Sequence, residues 1–198
     1  MLKSSITTLL LISAWILLPG LGSTATLACG DIDPADLIPG NEACEGVVLD
    51  GPAQTAYTLS ELTAVINGEA FLYTGHGWVS SAFQNYAVDV ADSAAATLSL
   101  FNQGTATNAE ALYNDPQSGG GDAIGDWSGS GAARLQAAFG VTTLQFWEEC
   151  LFVKIVILSE SPEATVAARC LADALVTIIQ GQTPMDVETW SAIKALYR

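Results

Sequence analysis

The sequence predicts an α+β fold, a mainly antiparallel sheet with helices packed on one face. Two pairs of strand-like runs carry the prediction: residues 79–90 with 95–101, and residues 141–147 with 151–158. Each pair is joined by a short polar turn, Asp92-Ser93 in the first and Glu148-Glu149 in the second, and strands linked so closely pair antiparallel. Between and after the pairs, apolar residues recur at helical spacing. Helices that alternate with strand pairs point to α+β rather than to a parallel, doubly wound sheet.

The N-terminus precedes the domain. Lys3 is followed by an apolar run over residues 6–18 that stops at Pro19-Gly20. The run is shorter than the roughly 20 residues a bilayer core requires, and Pro-Gly ends a helix where a membrane span must continue. Residues 1–25 therefore read as a signal peptide, cleaved after Ala25 in Ser23-Thr24-Ala25. The expected location is secreted or periplasmic, with no membrane span in the mature chain. The alternative is a lipoprotein: Leu27-Ala28-Cys29-Gly30 offers Cys29 for acylation and a lipid tether, although Thr26 stands where a large aliphatic residue is usual.

Residues 26–56, rich in Asp, Pro and Gly and without sustained periodicity, read as an extended leader pinned by a disulfide, and residues 57–198 as a single α+β domain. Thr58 and Glu61 form a capping box that opens a helix over residues 59–73. Leu62, Val65, Ile66, Ala70 and Tyr73 form its apolar face, and Gly75-His76-Gly77 ends it. After the first hairpin, a second capping box, Thr107 to Glu110, starts a short helix ending at Tyr113. The glycine-rich residues 115–131 read as a loop, or a loop with a short strand inside it.

In the second hairpin, residues 151–158 are apolar on both faces except at Lys154, the mark of a central strand. Ser161-Pro162 then caps a helix with Ala167, Cys170, Leu171, Ala174, Leu175 and Ile178 inward and Gly181 at its end. Thr183-Pro184 starts a last helix, with Val187, Trp190 and Ile193 facing inward.

Charge and cysteines bound the chemistry. With 21 acidic and 6 basic residues the net charge is −15, and loss of the signal peptide removes one more positive charge. Such a chain repels phosphate backbones and anionic lipid heads, so the partners expected are a small molecule or an envelope protein and not nucleic acid. Cys29, Cys44, Cys150 and Cys170 all follow the cleavage site, and an even number in an exported chain reads as disulfides. Four cysteines allow three connectivities. Cys29 and Cys44 flank one short stretch, and Cys150 and Cys170 flank one strand-to-helix connection, so the expected pairs are Cys29–Cys44 and Cys150–Cys170. The spacing fits no zinc pattern and the chain has one histidine, so neither a metal centre nor a cofactor is expected.

Few residues stand out as carriers of chemistry. His76, between two glycines, is a candidate general base for a Ser–His–Asp arrangement, without a Gly-x-Ser-x-Gly elbow to accompany it. Its other reading is a helix C-cap with the ring packed on Trp78. Asp115, Asp122 and Asp126, with Asn114, are candidate calcium ligands in the glycine loop, although Asp and Asn also favour turns for conformational reasons. Asn67-Gly68 interrupts a helical pattern at a cost on the order of 1 kcal/mol relative to alanine. Close packing over Gly68, or a ligand pressed on it and bonded to Asn67, would offset that cost. Trp78 and Trp127, with Tyr86 and Trp147, are candidates to line a ligand pocket, with core packing as the competing role. Glu148 and Glu149 read as solvated turn residues, adjacent and so unable to face one another across a glycosidic bond.

The run Leu62-Thr63-Ala64-Val65-Ile66-Asn67-Gly68-Glu69-Ala70-Phe71-Leu72-Tyr73 leads into Gly75-His76-Gly77-Trp78. Together with residues 98–113, Gly125-Asp126, Leu144-Gln145-Phe146-Trp147 and Phe152-Val153-Lys154-Ile155, it resembles an exported bacterial family, domain-of-unknown-function family 6599. The resemblance covers about residues 55–180 and departs at Glu69, where a second glycine is common. It implies export and the α+β fold, and it implies no activity.

The function expected is therefore that of a non-catalytic binding or interaction module of the bacterial envelope or exterior. A secreted hydrolase using His76 and a structural envelope component are the alternatives.

Overall fold

Eight strands form one antiparallel sheet among the residues described by the structure, a computed structural model that describes residues 29–89 and 93–182. The signal peptide expected over residues 1–25 and the helix expected after Thr183-Pro184 both lie outside the described residues. The strands are β1 (Val47–Leu49), β2 (Gln54–Ala56), β3 (Ser80–Val88), β4 (Ala94–Asn102), β5 (Asp122–Ala123), β6 (Ala133–Ala138), β7 (Val141–Glu148) and β8 (Leu151–Ile157). They lie in the order β1-β3-β4-β8-β7-β6-β5, and β2 pairs with the other half of β3 from β1. The α+β class and both hairpins hold, and β8 is central, as its apolar run requires.

The leader does more than extend to a disulfide. It supplies β1 and β2, buries Leu37, and receives a hydrogen bond at the Pro39 carbonyl from the Tyr86 hydroxyl at 2.9 Å. The glycine-rich segment contains the short strand β5, which pairs with β6.

Among the described residues four α-helices pack on the sheet: α1 (Leu59–Ile66), α2 (Ala70–Gly75), α3 (Ala106–Asn114) and α4 (Pro162–Gln182). The Thr58–Glu61 capping box forms, but the helix it opens breaks at Asn67, where φ is +53°. Both Asn67 and Gly68 are exposed, and no atom lies within 4 Å of a Cβ built on Gly68. The break, not close packing, accommodates Asn-Gly. The cap of α3 is Thr105, whose side chain accepts the Asn108 N–H, so this helix starts ahead of the expected Thr107.

Alternate residues of a strand face opposite sides, and both sides are covered. α4 packs on one face, its Ala164, Ala168, Leu171, Ala172 and Leu175 against Leu98, Leu144, Phe146, Val153 and Ile155. The alanines turn its buried stripe away from Cys170 and Ala174, which are only partly buried. α1, α2 and α3 cover part of the other face, where Leu62, Tyr73 and Leu112 pack on Phe83, Phe101 and Phe152. Tyr73 stacks on Phe101 with ring centroids 3.8 Å apart. The helices therefore occupy two faces rather than one, because these three phenylalanines project away from α4 and each gains about 1.5–3 kcal/mol from full burial.

The disulfides are Cys29–Cys150 and Cys44–Cys170, each with Cα atoms 5.9 Å apart. This corrects both expected pairs. Cys150 sits at the β7–β8 turn beside the end of β4, where the Gln103 N–H donates to its carbonyl, whereas Cys170 lies on α4. The Asn102 amide donates to the carbonyls of Cys29 and Ile32 and holds Cys29 at the strand end. Residues 29–44 thus run from the sheet's end to the helix, and each of their cysteines meets a different element. Two disulfides indicate an oxidising, extracytoplasmic environment.

Candidate functional site

The Gly-His-Gly turn ends α2. His76 is the C-cap, its N–H donating to the Tyr73 carbonyl. Gly77 has φ +84°, and a side chain there would strike the Asn108 amide, so glycine lets this turn close on the start of α3. His76 is brought to the far end of α3, where its Nε2 lies 3.0 Å from Asp115 Oδ2. Both side chains are about one-fifth exposed.

Asp115 caps a 3-10 turn, Pro116–Ser118, through the Gln117 N–H, which donates to Oδ1 at 2.8 Å. That N–H, and then His76, hold its carboxyl below the usual carboxylate range. The Asp115 main-chain oxygen accepts from Ser118 Oγ at 2.8 Å, and Ser118 Oγ accepts in turn from Arg134 Nη2 at 2.8 Å. Arg134 Nε donates to Gln145 Oε1 at 2.8 Å, and the Gln145 amide donates to the Ser118 carbonyl at 2.6 Å. The guanidinium lies 4.4 Å from the centre of the Tyr113 ring, whose hydroxyl is pushed up by burial against the opposing pull of Arg134. A polar network thus runs His76, Asp115, Ser118, Arg134, Gln145.

The network contains two members of a Ser–His–Asp arrangement and lacks the third. Among the described residues no hydroxyl or thiol bonds to the His76 ring. Ser118 is buried, donates to main-chain oxygens, and is linked to His76 only through the backbone and side chain of Asp115. Aspartate can orient the imidazole, but no serine stands ready for activation.

The remaining candidates are dispersed. Of the calcium candidates, Asp115 engages His76, Asp126 pairs with Arg169 of α4 at 3.0 Å, and Asp122 is exposed on β5. No group of three or more metal-ligating side chains gathers among the described residues. Trp78 and Trp147 pack on the cluster under α1–α3, while Tyr86 and Trp127 belong to the α4 face, so the four line no common pocket. Asn67 and Gly68 form an exposed break away from either core.

Glu148 corrects the reading of a solvated turn. It is 1% exposed and accepts from the Ser130 and Gly131 N–H groups, Ser130 Oγ and the Gln180 amide. Glu149, with φ +51°, makes the turn.

Arg134, Ser118 and Gln145 escaped the sequence reading. The available signal was charge: Arg134 is one of 6 basic residues in a chain with 21 acidic ones, and no acidic residue stands near it in sequence. No protein-family model, curated protein or solved structure matches the chain.

Proposed function

We propose that this chain is an exported, non-catalytic binding module of the bacterial envelope or exterior, with the polar network around Arg134 as its recognition surface. The observation that supports this reading is a guanidinium fixed by neutral acceptors beside a His–Asp pair with no nucleophile bonded to it among the described residues. Donors held in place before binding lower the ordering cost of recognition, and that is the property a binding surface needs.

The bridge from Cys29 to Cys150 favours the soluble secreted or periplasmic form over the lipoprotein, since one sulfur cannot carry both a lipid thioether and a disulfide. Mass spectrometry of the mature N-terminus tests this, and a lipid on Cys29 overturns it. The hydrolase reading rests on the His76–Asp115 contact alone. Ester, peptide and glycoside substrates offered to the wild type and to His76→Ala should react at the same background rate. A turnover that disappears in His76→Ala defeats the binding reading.

A further inference from the structure

Three basic side chains lie among the described residues: Arg134, Lys154 and Arg169. Arg169 is paired with Asp126. Arg134 and Lys154 have no carboxylate within ion-pair distance among the described residues, in a chain with 21 acidic residues.

These two cations share one side of the sheet. Arg134 of β6 is opposite Gln145 of β7, Gln145 is opposite Lys154 of β8, and Lys154 is opposite Ser99 of β4. Directly opposite residues project to the same face, and strands lie about 4.8 Å apart, so two cations flank Gln145 from backbones roughly 10 Å apart. Both are half-buried and within reach of solvent. Gln145 is 2% exposed, and Gly119, with φ +126°, leaves its amide no room for a side chain above it.

Arg134 is fixed on one edge and open on the other. Nε and Nη2 are taken by Gln145 Oε1 and Ser118 Oγ, and Tyr113 lies against the guanidinium. The two N–H donors on Nη1 and the second on Nη2 have no partner among the described residues, and one from each nitrogen together form the end of the fork. Every group that holds the guanidinium is neutral, and no carboxylate among the described residues pairs with it. A planar carboxylate matches the open end through two parallel hydrogen bonds.

We propose that Arg134 and Lys154 form a binding site for a small organic acid, its carboxylate on the open end of Arg134 and further negative charge drawn to Lys154. Ser99 and Thr143 stand on the same face beside Lys154 and Gln145, as hydroxyl partners for the rest of the ligand. The acidity of the whole chain restricts the ligand to a small acid, because a polyanion is repelled before it arrives. This assignment rests on the binding reading and names its ligand class.

The test is an NMR titration of the isotopically labelled, disulfide-bonded mature protein with succinate, glucuronate and inorganic phosphate in separate arms. A saturable shift at the amides of Arg134, Gln145 and Lys154 is expected with at least one of the two organic acids. Arg134→Lys keeps the charge and loses the fork, and should weaken that binding about tenfold, the worth of one charge-assisted hydrogen bond. Lys154→Met, on a half-buried site with no hydrogen-bond or ion-pair partner among the described residues, should leave the fold intact and weaken binding several-fold. Three results overturn the assignment: no saturable shift with either organic acid, affinity unchanged in Lys154→Met, or phosphate bound as tightly as the organic acids and insensitive to Arg134→Lys. Saturable shifts that map elsewhere defeat the assignment and leave the binding module standing. Consumption of a probe during the titration defeats the binding reading itself.

Discussion

His76 and Asp115 stand 39 residues apart in sequence and meet at 3.0 Å through Nε2 and Oδ2. The contact clasps the end of α2 to the turn that follows α3, two elements of the helical layer over Phe101 and Phe152. It therefore bears on the cohesion of that layer whatever the protein binds.

Acid should loosen the clasp. Asp115 is held below the usual carboxylate range by the Gln117 N–H and then by His76. A carboxyl with a depressed folded pKa contributes stability above its unfolded value, near 3.9, and the contribution is lost as pH falls through the folded pKa. Asp115→Asn should therefore melt below the wild type at neutral pH, and the two curves should converge in acid. Melting temperatures measured across that range check the sign; a gap that widens toward low pH contradicts it.

Each disulfide closes a long loop, with partners 121 and 126 residues apart. In the chain-entropy account such a closure is worth about 4–5 kcal/mol by restricting the unfolded chain. Non-reducing peptide mapping should return Cys29–Cys150 and Cys44–Cys170. The double alanine variant of either pair should unfold at markedly lower denaturant, and losses below about 1 kcal/mol would show that the unfolded chain is little restrained.

What the sequence revealed followed the strength of each local signal. β8 and its neighbours were legible because Leu98, Leu100, Leu144 and Phe146 alternate and residues 151–157 are almost wholly apolar. β6 was not, since Ala-Arg-Leu-Gln-Ala-Ala has too little apolar contrast to show a period of two. His76 and Asp115 each stood out alone, but their meeting depends on α2 and α3 ending on the same face. The disulfide pairing was hidden for the same kind of reason: proximity in sequence favoured Cys29–Cys44, while the path of residues 29–44 across the sheet decides otherwise.

Phe139 occupies the first position of a two-residue turn between β6 and β7, with φ +56°, followed by Gly140 at +78°. Positive φ at both positions fits a type I′ turn, where Asn-Gly is favoured and a bulky first residue is strained. The ring is 98% exposed, so its loss removes no packing within the described residues. Phe139→Asn should stabilise the protein by about 1 kcal/mol. Chemical denaturation measures it, and a loss of stability would reveal a contact that the exposed ring makes.

Glu148 holds the end of the glycine-rich segment onto the sheet. Gly131 approaches the Trp147 carbonyl so closely that no side chain fits, and beside it the Glu148 carboxylate accepts the Ser130 and Gly131 N–H groups at 2.7 and 3.1 Å. Trp127, in the same segment, packs on Phe146 with ring centroids 4.8 Å apart. Glu148→Ala strips these donors of their acceptor next to a buried site, at about 1–3 kcal/mol for a buried group left unpaired. Glu148→Gln keeps one acceptor oxygen and the volume, and should cost less. The damage should be local first: amide exchange at Ser130 and Gly131 should accelerate more than exchange in β4 or β8, because the core strands report global unfolding and the loop reports its own anchor. Equal acceleration everywhere would mean that Glu148 supports the whole sheet and not the segment it touches.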